Sequence, residues 1–180
     1  QKNFILGALA ELKQHHYEEL ELQLNKQLES LNSFSFPSTE LPIVHAIIDF
    51  KSKSAKESSA KIECSTRILA KSTINDIDLA ILLGNLLDNA IEATAVLPDH
   101  SKKEIRVFVE VTEPQMIVSV TNPVIKDINV NHLKTTKNDS QNHGYGLLAV
   151  RRIADKYNGT LLLDCQNNTF GASAVLNQPE

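Results

Sequence analysis

The stretch that decides the fold of this chain is GNLLDNAIEA, which runs from Gly84 to Ala93. Its leucines and alanines supply a broad apolar surface at helical spacing. Two amides and two carboxylates recur at i, i+3, i+4 and i+7, which puts them on one face of a helix beside residues that must be buried. These polar residues are Asn85, Asp88, Asn89 and Glu92. The face is either a solvent-exposed stripe or a set of oxygen ligands for a hard cation such as Mg²⁺.

A second signal is the pair of glycines in His143-Gly144-Tyr145-Gly146-Leu147, between a polar loop and a predicted helix. Glycines let backbone N–H groups approach an anion, and a helix N-terminus adds partial positive charge. The alternative is a tight turn; a Walker phosphate loop is excluded because G-x-x-x-x-G-K-[ST] does not occur. Upstream, Lys134-Thr135-Thr136-Lys137 offers two cations and two hydroxyls, which either reach phosphates or form a solvated basic patch.

A third signal is Asn122, which follows an alternating strand pattern and precedes Pro123. Its side-chain carbonyl is suited to accept a hydrogen bond from an exocyclic amine. A turn-forming Asn before Pro explains the same residue equally well.

The order of helical and alternating patterns predicts an α/β fold, a two-layer sandwich in which helices cover one face of a mixed sheet. The predicted helices are Pro42–Glu57, Asp76–Val96 and Tyr145–Tyr157, and the predicted strands are Lys61–Ile68, Glu104–Thr112, Met116–Thr121, Thr160–Cys165 and Phe170–Leu176. The first helix is predicted to open at Thr39 or Glu40 and to carry Ile43, Ala46, Ile47 and Phe50 on one face. Residues 123–143 are polar and weakly periodic, which is typical of a lid.

The first thirty-odd residues predict a separate element. Two leucine-rich stripes, broken near His15, indicate two helices in a hairpin. A thin apolar stripe cannot form a core alone, so we expect a second copy to complete a four-helix bundle.

Composition excludes several classes of protein. The 180 residues fit one domain plus a short appendage, and 42% hydrophobic residues suffice for a core. A net charge of −4 argues against nucleic acid as a partner. The two cysteines have neither metal-ligand nor disulfide spacing, which favours a reducing compartment. No apolar run approaches the ~20 residues of a membrane span, and the absence of an initiator Met predicts a fragment.

Together these motifs resemble the GHKL ATPase fold of the Bergerat type, and most closely the ATP-binding domain of sensor histidine kinases. Residues 84–93 match that family's Asn box, and residues 135–137, 143–147 and 154–159 match its second glycine box and the following helix. The resemblance covers roughly residues 41–176. The first glycine box, D-x-G-x-G, is absent: Asn122-Pro123 stands in its place, as in the peptide-sensing kinases of the accessory-gene-regulator type. In that subgroup the phosphoacceptor motif resembles H-[DE]-x-x-N, so Gln1-Lys2-Asn3 would be its last three letters and the acceptor His would lie upstream.

The resemblance implies a division into residues 1–36, a truncated dimerisation and phosphotransfer hairpin, and residues 37–180, an ATP-binding catalytic domain using ATP and Mg²⁺. Asn89 would hold the metal, and Asn122 would read adenine. Catalytic roles fall to Asn85, Asn89 and Lys137. Nucleotide-binding roles fall to Asn85, Asn89, Asn122, Thr136, Lys137, His143, Gly144, Tyr145, Gly146 and Leu147.

The implied activity is transfer of the ATP γ-phosphoryl group to a histidine on the dimerisation helix, for relay to a response regulator. We expect a homodimer through the N-terminal helices and a cytoplasmic location, with membrane attachment only through missing upstream segments. His15 and His16 do not match the acceptor motif and are interpreted as a helix junction. The alternative is a nucleotide-gated interaction module without chemistry. ATP hydrolysis is ranked last, because Asn85 stands where hydrolysing relatives place an acidic base.

Overall fold

The computed structural model describes residues 41–98, 101–130 and 145–178. Its helices are α1 (Pro42–Glu57), α2 (Asp76–Ala95) and α3 (Tyr145–Lys156). Its strands are β1 (Lys61–Ile68), β2 (Glu104–Val111), β3 (Gln115–Pro123), β4 (Thr160–Gln166) and β5 (Thr169–Asn177). The backbone divides into units Gln1–Thr39 and Glu40–Glu180. The predicted N-terminal hairpin, residues 1–36, lies outside the described residues and stays a prediction.

The five strands form one sheet in the order β1-β2-β3-β5-β4. Strands β1 and β2 run parallel, and the other pairs are antiparallel, so the sheet is mixed as predicted. Side chains in β2 and β3 alternate between buried and more exposed positions, as the sequence pattern of β2 predicts. The three helices pack on the buried face, with α2 between α1 and α3. The predicted α/β sandwich is confirmed.

Helix α2 forms the centre of the helical layer. It begins at Asn75, whose side-chain oxygen accepts from the backbone N–H of Ile77 at 2.9 Å and of Asp78 at 3.4 Å. This cap satisfies N–H groups that have no partner within the helix. The buried side of α2 carries the leucines that pack on the sheet, Leu79, Leu82, Leu83, Leu86 and Leu87. The helix is therefore fixed at its start and along its length, so its polar residues have defined neighbours.

The junction from α3 to β4 explains why Asn158-Gly159 follows the helix. Asn158 has φ 49°, a left-handed conformation that Asn tolerates, and the Gly159 N–H donates to the Ala154 carbonyl at 2.8 Å. A Cβ on Gly159 would lie 1.9 Å from the Val175 carbonyl oxygen. Only glycine allows this approach of the backbone to β5. The predicted helix stop is confirmed.

The predicted face of α1 is right at Ile43 and Ile47, which are partly buried against the core, and wrong at Ala46 and Phe50. Val44, Ile48 and Ala55 are buried, whereas Ala46 is exposed and Phe50 has 67% of its surface accessible. The helix has the predicted bounds, Pro42–Glu57, and the residue before it, Leu41, provides no side-chain cap; the predicted opening residues Thr39 and Glu40 lie outside the described residues. The most buried residues, Val44 and Ile48, follow the predicted isoleucines by one position, because α1 contacts both α2 and β1 and its buried face is wider than the four positions chosen.

Helix α1 and strand β1 have the predicted bounds, and the other elements differ from prediction by one or two residues at one or both ends. Strand β3 extends to Pro123 because β5 pairs with it along its whole length, from Gln115↔Asn177 to Pro123↔Thr169. Within the described part of the chain, no helix is both long enough and apolar enough to cross a bilayer.

Candidate functional site

A cavity of about 340 Å³ opens beside the C-terminal half of α2. It is lined by Asn89, Glu92, Ala93, Val124, Ile128, Leu147 and Phe170. These residues come from α2, the segment after β3, the start of α3 and the start of β5. Five of the seven are apolar and two are polar, so the cavity has apolar walls with polar groups from α2. This composition is typical of a site that takes the flat, apolar part of a ligand and orients it by a few polar contacts.

The second glycine of the His143–Leu147 motif lies against the two asparagines of α2. A Cβ built on Gly146 would be 3.2 Å from Asn85 Oδ1 and 3.4 Å from Asn89 Oδ1. The structure therefore brings together two motifs that are far apart in sequence. Since Gly146 has no side chain, the N-terminal turn of α3 approaches the amides directly. Leu147, the next residue, lines the cavity.

The two asparagines differ in how their amides are satisfied. Asn85 Nδ2 donates to the Ile81 carbonyl one turn earlier, at 2.6 Å. Asn89 Nδ2 is buried and has no hydrogen-bond partner within the described residues. A buried amide without a partner costs about 1–3 kcal/mol, so such a group points to a missing ligand. Asn89 Nδ2 is therefore the donor at this site for which a ligand acceptor is expected.

The predicted polar face of α2 divides in two. Asp88 has 53% of its side chain exposed and accepts from Lys51 Nζ of α1, at 2.6 Å to Oδ1 and 2.7 Å to Oδ2. Asn85 and Asn89 turn towards α3, and Glu92 lines the cavity. Asp88 thus links α2 to α1. The residues of α2 next to Gly146 are the amides Asn85 and Asn89.

Asn122 lies at the end of β3 with only 3% of its surface exposed. Its Nδ2 donates one of its two N–H groups to the Pro123 carbonyl at 3.0 Å. Its neighbour across the sheet is Phe170, a wall residue of the larger cavity. Asn122 itself lines a smaller cleft of about 130 Å³, beside Thr121 and Thr169. It therefore stands next to the larger cavity rather than among the residues that line it.

The smaller cleft has its own charges. Glu104 accepts from Lys102 Nζ and from Arg106 Nε, each at 2.5 Å. The Lys102 hydrogen bond, followed by Arg106, holds the pKa of the Glu104 carboxyl below its usual range. The carboxylate offsets the charge of the neighbouring cations, so the cleft is not a strongly positive site.

The donor set fits a magnesium ion that is held mainly by its substrate. Among the described residues there is no group of three His, Cys, Asp or Glu side chains arranged for a metal. The protein oxygens beside Gly146 are Asn85 Oδ1 and Asn89 Oδ1, which are suited to ligate the metal, whereas the unpaired Asn89 Nδ2 is a donor and suits a phosphate oxygen. Mg²⁺ keeps several waters and commonly binds one or two protein oxygens plus substrate phosphates. The residues therefore fit a metal–phosphate complex but not an all-protein metal cage.

Several predicted residues cannot be placed. Thr136, Lys137, His143 and Gly144 lie outside the described residues, and Tyr145 is described only as the first residue of α3. Their predicted roles in nucleotide binding stay predictions.

Sequence reasoning missed three of the seven residues that line the cavity. Val124, Ile128 and Phe170 carry no motif and are adjacent only in the folded sheet. A weak signal existed: Phe170 opens a strand directly after the Asn167-Asn168 turn, and the opposite strand ends at the singled-out Asn122. Aligning the two strand ends would have placed Phe170 at the site.

Fold and site together define an α/β domain with an apolar cavity beside paired amides and a glycine at a helix start. A family profile described as the GHKL domain matches residues 74–177, which is more than half of the chain. The chain belongs to the GHKL domain family, whose domains bind ATP. No curated protein matches the chain.

Solved structures of the catalytic domain of histidine kinase ThkA share this fold. One nucleotide-free form aligns at 18% identity over 77% of this chain and 93% of that chain, with a TM-score of 0.58. Another aligns at 16% identity over 76% of this chain and 92% of that chain, with a TM-score of 0.59. At such identities the likeness establishes the fold alone.

Proposed function

We propose that this domain binds Mg·ATP at the junction of α2 and α3 and transfers the γ-phosphoryl group to a histidine of the dimerisation helix. The observation that carries the proposal is the contact of Gly146 with Asn85 and Asn89, next to a buried amide without a partner. That geometry suits an anion and its metal, because the helix start supplies N–H groups and Asn89 supplies an uncommitted amide.

The base would occupy the larger cavity. Its apolar walls suit a purine ring, and Phe170 offers an aromatic surface for it. The hydrogen bond from Asn122 Nδ2 to the Pro123 carbonyl uses one of its two N–H donors and fixes the orientation of the amide, and we propose that Oδ1 faces the base. An acceptor favours the exocyclic amine of adenine over the carbonyl oxygen of guanine. We therefore propose that ATP is preferred to GTP.

The domain's contribution to chemistry would be positioning and charge neutralisation. The nucleophile is a neutral imidazole, so the protein needs no strong base, in agreement with Asn85 at the first position of the motif. Bound Mg²⁺ would neutralise phosphate charge during transfer. Asn89 would hold the metal–phosphate group, and the Gly146 backbone would line its path. Relay to a response regulator and dimerisation through residues 1–36 belong to the same proposal.

Calorimetry tests the binding. ATP should bind in the presence of Mg²⁺ and weaken when Mg²⁺ is removed, and GTP should bind less tightly. Asn89→Ala should weaken Mg·ATP binding by at least about tenfold, or 1.4 kcal/mol. Stability should be little changed, because the substitution removes a buried amide that is already unsatisfied. Unchanged affinity in Asn89→Ala, with wild-type protein that binds, would show that the metal and phosphates lie elsewhere.

Transfer distinguishes a kinase from a nucleotide-gated interaction module. Incubation with γ-labelled ATP should leave this chain unlabelled, since its acceptor histidine is proposed to lie upstream. Labelling mapped to His15 or His16 would contradict that assignment. A separate hairpin with the H-[DE]-x-x-N motif should accept label in trans; ATP binding without any transfer would favour the interaction module.

A further inference from the structure

The segment after β3 supplies two walls of the larger cavity and stands where the family's first glycine box would be. This wall segment comprises residues 124–130 and has no glycine. Val124 and Ile128 line the cavity, yet Ile128 has 41% of its surface exposed. Core packing alone therefore does not hold Ile128 in position.

Hydrogen bonds tie the wall segment to the β4–β5 hairpin. The Val124 N–H donates to the Asn168 carbonyl at 2.8 Å. Asp127 Oδ1 accepts from the Asn168 N–H at 2.6 Å, and the Ile128 N–H donates to Cys165 Sγ at 3.2 Å. The Cys165 thiol is also 3.9 Å from Asp127 Oδ1. Asp127 thus contributes the only charged acceptor that these contacts contain.

The anchor for these bonds is a rigid part of the hairpin. Asn167 and Asn168 both have positive φ, at 53° and 57°, which is the backbone of a two-residue hairpin turn of type I′. Phe170, another wall residue of the cavity, follows this turn by two residues on β5. One turn therefore fixes both Phe170 and the wall segment, and Asp127 joins the two.

We propose that Asp127 is a positioning residue for the nucleotide base, acting through Ile128 and the β4–β5 turn rather than by touching the ligand. The proposal rests on the proposed function, since it takes the base to occupy this cavity. Asp127 itself is exposed and lies outside the core. Its loss should therefore change ligand affinity more than it changes folding stability.

The test compares Asp127→Ala with Asp127→Asn and with Lys126→Ala, an exposed neighbour on the same segment. Asp127→Ala should weaken ATP and adenosine by the same factor, about five- to tenfold, because the wall contacts the base and not the phosphates. Asp127→Asn keeps the Oδ1 acceptor and should bind within about twofold of wild type, as should Lys126→Ala. Calorimetry gives the ATP values, and competition against ATP gives those for adenosine. Urea unfolding should be the same for all three variants.

Thiol labelling gives a readout that does not depend on nucleotide. Loss of the hydrogen bond between Asp127 and Asn168 should loosen the wall segment, including the Ile128 N–H that contacts Cys165 Sγ. Iodoacetamide should therefore modify Cys165 several-fold faster in Asp127→Ala. Burial raises the pKa of the Cys64 thiol, so Cys64 serves as a slow internal reference in the same mass spectrum.

The outcomes separate the two proposals. If wild-type protein binds ATP and Asp127→Ala binds it equally well, the positioning role is refuted and the proposed function stands. If Asp127→Ala weakens ATP but not adenosine, Asp127 acts on the phosphate side and the proposal is again refuted. If wild-type protein binds neither ligand, the proposed function fails and the positioning role falls with it. Faster labelling of Cys165 would then show that the Asp127–Asn168 hydrogen bond holds the wall segment in place without a role in ligand binding.

Discussion

The contact between α3 and the amides of α2 makes Gly146→Ala the most informative substitution. The new Cβ would lie 3.2 Å from Asn85 Oδ1 and 3.4 Å from Asn89 Oδ1, which is closer than an ordinary van der Waals contact for the first of them. Asn85 cannot easily move away, because its Nδ2 is held by the Ile81 carbonyl at 2.6 Å. The methyl group therefore fills the gap that we assign to the metal–phosphate group.

The substitution should affect folding and binding in different ways. Alanine in place of glycine stabilises a helix by roughly 0.5–1 kcal/mol, and the close contact offsets part of that gain. The free energy of unfolding should therefore stay within about 1 kcal/mol of the wild-type value. ATP affinity should fall by about tenfold or more, which corresponds to 1.4 kcal/mol.

Gly84→Ala is the matched control on the neighbouring helix. A Cβ at this position meets nothing within 4 Å. We expect it to raise the free energy of unfolding by about 0.5–1 kcal/mol and to leave ATP affinity unchanged. Urea unfolding and calorimetry with Mg·ATP measure both quantities for both variants. If Gly146→Ala binds ATP as tightly as Gly84→Ala, the gap between the helices is not the phosphate site.

Three further predictions concern folding. Hydrogen bonds from Lys156 and then from Tyr157 lower the pKa of Asp78. The Asp78 carboxylate therefore stabilises the fold fully above pH ~4, and this stabilisation is lost as the pH falls towards the lowered pKa. Asp78→Asn should lower the free energy of unfolding by roughly 1 kcal/mol at pH 7, and urea unfolding measured over a pH series should show a weaker loss of stability in acid. Asp88→Asn breaks the ion pair with Lys51, whose carboxylate partner is half exposed, so the free energy of unfolding should fall by less than about 1 kcal/mol. ATP affinity measured by calorimetry should be unchanged, and a large loss of affinity would show that Asp88 belongs to the nucleotide site. Gly159→Ala places a Cβ 1.9 Å from the Val175 carbonyl oxygen and should destabilise by about 3 kcal/mol or more in thermal unfolding, whereas a normal melting temperature would contradict the tight junction.

The amino-acid sequence by itself determined the elements and their order. The alternation of β2, the leucine pattern of α2 and the Asn158-Gly159 stop are local signals, because backbone geometry and burial impose a period on each element separately. The same periods marked Asn85 and Asn89 as unusual residues in mid-helix. These parts of the prediction needed no knowledge of neighbours.

Only the tertiary structure decided which neighbours meet. It paired Asp88 with Lys51, set the amides of α2 against Gly146, and joined the wall segment to the β4–β5 turn. The buried face of α1 was mispredicted at Ala46 and Phe50 for the same reason. A periodic pattern records that a residue is covered but not by what, since contacts between distant segments depend on how the whole layer packs.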